Sequence, residues 1–143
     1  MAERLQILNE DSINSKPSFE SKYTWYKTED VFHKASMIGS GLINLKLVSL
    51  TEDNYKFCGF YAQNSLNYIL CDIACILYGI TVVPIYDTLW ETATQFAFNQ
   101  TKMTTCFVTS KHLPKIIAAK KTLNNFSYLK TIVILDPQNT EVS

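Results

Sequence analysis

Side chains able to do chemistry are few and scattered in this 143-residue sequence. Its cysteines are Cys58, Cys71, Cys75 and Cys106, all inside apolar segments and none in a CxxC pair. Cys71 and Cys75 lie four apart on an expected helix, where they could present two ligands, but no histidine is near in sequence. They read as small buried hydrophobes in a reducing compartment, and no metal spacing is found. His33 and His112 each sit beside a lysine and read as surface residues. No serine or cysteine occupies a GxSxG elbow. Asp53, Asp72, Asp87 and Asp136 fall one to a segment, so no carboxylate pair offers itself for acid–base work, and no catalytic residue is assigned. Asp72, inside an apolar run, either bonds a neighbouring element or faces water.

Anion binding fares no better. A phosphate cradle needs glycines close enough for backbone amides to converge on one anion. The four glycines are Gly39, Gly41, Gly59 and Gly79. Only Gly39 and Gly41 are close together, and they fall mid-helix, where they permit close packing against a sheet. Lys111, Lys115, Lys120 and Lys121 surround one helix and read as its solvated face. Thirteen basic and thirteen acidic residues cancel, leaving no global field for nucleic acid or an anionic membrane. With 47% hydrophobic and 18% charged residues, the chain is globular rather than disordered.

The elements that must position these residues alternate. Residues 1–22 are a polar arm, read as loose, without the features of a secretory or transit peptide. YTWY (23–26) has strand composition. Thr28 is the expected cap of a helix with Glu29 and Asp30 in its first turn, and apolar positions recur at helical spacing to about Leu47. KFCGFYAQ (56–63) is a strand. Asn64 or Ser65 caps the next helix, which Gly79 ends. ITVVPIY (80–86) is the next strand, and Thr88 caps a helix to about Gln100. TTCFVTS (104–110) is a strand, with Ser110 capping a helix that tolerates Pro114 in its first turn. KTIVILDP (130–137) closes the order βαβαβαβαβ. The apolar stretch 66–86 is helix then strand rather than a membrane span, because Asp72, Gly79 and Pro84 interrupt it.

Unbroken apolar strands alternating with helices predict an α/β fold, a mostly parallel sheet with helices on both faces. Ligands of such sheets sit beyond the carboxyl ends of the strands. That selects Gln63-Asn64, Tyr86-Asp87-Thr88 and Thr109-Ser110 as candidate positions.

Several stretches together resemble the long-chain acyl-CoA synthetases, adenylate-forming enzymes of the AMP-binding superfamily. YTWYKTEDVFHKASMIGSGL is similar to their tryptophan-containing strand and following helix. CGFYAQNSLNYILCDIACILYGITVVPIYDTL is similar to their AQN, acid-Ala-Cys and VVP-aliphatic-YDTL series. The resemblance runs from residue 23 to residue 137, leaving 138–143 as a tail. It implies the N-terminal subdomain of the acyl-adenylate-forming fold, in a family that joins fatty acid, ATP and CoA with Mg. The family's Ser/Thr/Gly-rich phosphate loop is expected beyond Pro137, and the later adenine, hinge and catalytic-lysine motifs are not found here. No cofactor is therefore expected on these residues alone. By the same resemblance Tyr86, Asp87, Thr88 and Leu89 flank a CoA path. Read from residues alone, they are a strand end and a helix cap. Trp90 stands where the family has glycine.

Two expectations follow from the resemblance. One is a non-catalytic module serving as an accessory subunit, bound to other proteins through an apolar face and placed on a mitochondrial or endoplasmic-reticulum membrane complex. The other is a fragment of an active fatty-acid–CoA ligase.

Overall fold

The computed structural model describes residues 2–3, 6–7, 18–19, 23–86, 92–122 and 126–136. Four parallel strands form the sheet: β5 (Phe57–Tyr61), β6 (Thr81–Pro84), β7 (Thr105–Val108) and β8 (Thr131–Ile134), in spatial order β6-β5-β7-β8. Helices α1 (Thr28–Asn44), α2 (Leu66–Leu77), α3 (Thr92–Thr101) and α4 (Leu113–Thr122) cover it. Leu42 of α1 and Cys71 and Cys75 of α2 pack on one face with Cys58, Phe60 and Phe107. Phe98 of α3 and Ile116 and Ala119 of α4 pack on the other with Tyr61, Cys106 and Val108. Alternate residues of each central strand thus feed opposite cores, so these strands read as continuous apolar runs. The α/β expectation holds.

The YTWY segment departs from it. Only Thr24–Trp25 is extended (β4), and it pairs antiparallel with β1 (Ala2–Glu3) rather than joining the parallel sheet. Tyr23, Thr24 and Trp25 are exposed, so this segment offers no apolar face to a core. The arm read as loose also pairs β2 (Gln6–Ile7) with β3 (Ser18–Phe19).

Helix ends follow local chemistry. Ser65 caps α2 by accepting the Tyr68 N–H at 3.1 Å. Gly79 closes it at φ +61°, with Ile80 N–H donating to Cys75 O at 2.8 Å and Gly79 N–H to Ile76 O at 3.3 Å. That pattern of paired bonds needs a left-handed residue, which glycine supplies without strain. The same motif ends α1, but with Lys46 at φ 53°. Its bonds are Leu47 N–H to Leu42 O and Lys46 N–H to Ile43 O, both 3.0 Å. Thr28 is not the cap of α1; Lys27 holds that place without a side-chain bond, and Thr28 is already helical.

Two glycines also differ from expectation. Gly39 faces the Tyr78 ring at the end of α2, not the sheet: a Cβ there would lie 2.2 Å from Tyr78 Cδ2. Tyr78 then reaches over α1 to donate its hydroxyl to Ser36 O at 3.1 Å. Gly41 has nothing within 4 Å of a Cβ and has no packing role. In the sheet, Gly59 makes room for Met103 and Cys106, whose sulfurs would lie 2.7 and 2.9 Å from an added Cβ.

Candidate functional site

Helix α2 carries the chain from β5 to β6 in one direction, and α3 brings it back past β5 to β7. The winding reverses between β5 and β7, so their carboxyl ends flank the crevice where such sheets take ligands. Gln63 and Asn64 lie exposed beyond β5. Thr109 and Ser110 lie beyond β7, as expected, and open a single 3-10 turn (Ser110–His112) leading into α4.

This turn ties three strand ends together. Thr109 N–H donates to Tyr61 O at 3.3 Å. His112, expected on the surface, is buried: its Nδ1 lies 2.9 Å from Thr109 Oγ1 and 3.1 Å from Tyr61 O. A carbonyl only accepts, so the bond to Tyr61 O requires the proton on Nδ1. The imidazole also stacks on the Tyr61 ring, with centroids 4.1 Å apart and planes 12° apart. Ser110 donates both its N–H, at 2.6 Å, and its hydroxyl to the Asp136 carboxylate at the end of β8. Partial burial works to raise the Asp136 pKa, but the two Ser110 bonds, with His112 nearby, bring it below the ordinary carboxylate value. Asn67 of α2 adds a bond to Leu135 O at 2.6 Å.

Chemically, the Ser110–Asp136 pair is a clasp. The serine proton points at a carboxylate whose lowered pKa makes it a weak base, so the bond holds the proton rather than removing it. The backbone N–H opening the turn before α4 is the kind of donor that binds anions at helix starts. Here the protein's own carboxylate takes it. No sequence signal marks this pair: it depends on the β7–β8 register, which sets Val108 against Ile134 and, two residues further on, Ser110 against Asp136. Nor does one mark His112, since its burial depends on where Tyr61 lies.

At the end of β6, Tyr86 is 60% exposed and borders a recess of about 190 Å³ with Pro84, Ile85, Ala93, Thr94 and Ala97. That is smaller than the few hundred Å³ of ordinary ligand pockets. Asp87, Thr88, Leu89 and Trp90 lie outside the described residues. Burial raises the Tyr68 pKa, and Asp72, one helical turn further along α2, and nearby Tyr86 add to the rise.

All four thiols are free and buried. Cys58 is driven well above the ordinary thiol value by its hydrogen bond with Cys75 and by burial. Burial pushes Cys71 and Cys106 up to about 12. Among the described residues no cluster of three or more His, Cys, Asp or Glu side chains suits a metal. Nor is any described helix long and apolar enough to cross a membrane.

Known proteins agree with this architecture. Residues 11–143 match the family model described as AMP-binding enzyme. The chain is 33% identical over 128 residues to long chain acyl-CoA synthetase 2 of Arabidopsis thaliana, covering 87% of this chain and 18% of that relative. It is 30% identical over 115 residues to human long-chain-fatty-acid–CoA ligase 6, covering 80% and 16%. Among solved structures, the A-PCP didomain of a carboxylic acid reductase from Segniliparus rugosus, in complex with AMP, superposes over 96% of this chain. The TM-score there is 0.71 at 17% identity, over 19% of that chain. A fatty acyl-CoA synthetase of Mycobacterium tuberculosis gives 0.64 at 13% identity, over 76% of this chain and 20% of the other. The chain thus spans less than a fifth of the length of these curated relatives. With its doubly wound sheet and with sequence similarity along most of its length, this chain belongs to the AMP-binding enzyme family, as an acyl-CoA synthetase-like portion of it.

Proposed function

We propose that these 143 residues supply the first parallel sheet of a long-chain acyl-CoA synthetase-like protein and do not form an acyl-adenylate by themselves. The observation carrying this reading is the Ser110–Asp136 clasp at the β7–β8 ends, beside the switch crevice, where an internal carboxylate takes the N–H and hydroxyl that open the turn before α4. No paired-glycine loop in the sequence offers a second cradle. ATP, Mg and CoA would then be held by other parts of a complete synthetase, with Tyr86, Asp87, Thr88 and Leu89 contributing at most one wall of the CoA path. The chain alone, given palmitate, ATP and Mg, should release no pyrophosphate above background. Robust turnover would overturn the reading.

An accessory role in a larger assembly has one observation in its support. Ile69, Ile76 and Leu77 of α2 are exposed, with Ile73 half-buried between them, and so form an outward apolar stripe. The ligase-fragment reading predicts something different. Mixing the chain with a synthetase lacking its corresponding segment should restore adenylation in trans, whereas an accessory module would leave that enzyme inactive.

A further inference from the structure

The two edges of the sheet are unlike. Pro84 blunts β6, because proline brings no N–H to an incoming strand. Strand β8, TIVI, has no proline, and among the described residues it pairs only with β7. Lys130 and Thr131 donate inward to Thr104 O, at 2.9 and 3.0 Å, and Leu135 to Val108 O at 2.9 Å. Alternation along a parallel ladder therefore turns the N–H and C=O of Ile132 and Ile134 outward.

We propose that a second copy of this chain pairs antiparallel along β8, about a two-fold axis at Val133. In this register Ile132 faces Ile134 of the other copy. Each such pair exchanges two backbone hydrogen bonds, as outward-facing residues of antiparallel strands do. The same register sets exposed Lys130 opposite Asp136 of the other copy, twice by symmetry. Opposite charges across antiparallel strands favour the pairing. The Asp136 oxygens already accept from Ser110, yet a carboxylate offers about four lone-pair sites, so room remains. Moving the axis to Ile132 or Ile134 would set each of those residues against itself and lose both charge pairs. Zero net charge adds no repulsion between copies. A single strand edge buries far less than the roughly 1,200 Å² of stable complexes, so the association is weak and concentration-dependent.

Sedimentation velocity over roughly a hundredfold range of concentration tests this. The average mass of the parent chain should rise toward the dimer. Ile134→Pro, which removes one outward N–H and leaves the β7 ladder intact, should stay monomeric. Lys130→Glu, which sets like charges opposite each other, should also stay monomeric, and its surface position spares the fold. Ile76→Glu, on the apolar stripe of α2, should associate like the parent. A parent that is monomeric throughout overturns the proposal, as does association that survives Lys130→Glu or is abolished by Ile76→Glu. If Ile134→Pro does not fold, Lys130→Glu alone decides.

Discussion

Ser110 carries the clearest energetic consequence of any single residue. Its hydroxyl and N–H both serve Asp136, and hydrogen bonds to a charged group contribute about 1.5–3 kcal/mol, less where solvent reaches them. Asp136 has its folded pKa depressed, so its contribution is present above the unfolded value of about 3.9 and lost as pH falls through the folded one. Ser110→Ala should cost about 1 kcal/mol at pH 7, and the deficit should close on acidification. Thermal unfolding of both proteins from neutral pH down to about pH 2 would show it. A constant deficit would mean that Ser110 does not act through the carboxylate. The glycines of α1 make a second residue-scale test. Gly39→Ala drives a methyl into the Tyr78 ring and should cost about 1–3 kcal/mol. Gly41→Ala meets nothing and should stabilise by about 0.5–1 kcal/mol. Urea denaturation of the pair should give opposite signs; the same sign for both would refute the assignment.

At the scale of elements, α1 and α2 end in the same bonding pattern with different residues at the left-handed position. Gly79 meets that requirement freely, whereas Lys46 adopts it against the steric preference of a side-chain-bearing residue. Lys46→Gly should therefore stabilise the protein by about 1 kcal/mol, read as a higher denaturant midpoint at unchanged slope. A loss of stability would mean that the lysine side chain holds the turn in some other way. The α2 cap shows a rule working as expected: Ser65, just before the apolar periodicity begins, accepts the Tyr68 N–H. At α1 the rule misled, because Thr28 had the right chemistry one residue too late and the helix began on it. Caps are decided by which residue leaves helical φ/ψ, and composition only biases that choice.

For the whole molecule, the outward stripe of α2 bears on assembly more than on stability. Ile76 is 69% exposed, so Ile76→Glu should shift unfolding free energy by no more than about 0.5 kcal/mol while lowering the fluorescence of a bound hydrophobic dye. Unchanged dye binding would place the apolar surface elsewhere. The fold class was legible in the sequence for a physical reason. Continuous runs such as FCGFY and TCFV suit strands covered on both faces, and helical periodicity between them leaves a parallel, two-sided sheet as the consistent arrangement. Strand ends were legible too, and with them the positions of Thr109 and Ser110. Sequence could not supply strand order, and order decided the rest. Placing β7 beside β5 buried His112 against Tyr61, and placing β8 beside β7 brought Asp136 to Ser110 across 26 residues. The two-residue β4 stayed out of the sheet because it had no apolar face to offer a core. Periodicity reports which way a side chain points. What it meets there depends on contacts between residues distant in the chain, and only the folded arrangement fixes those.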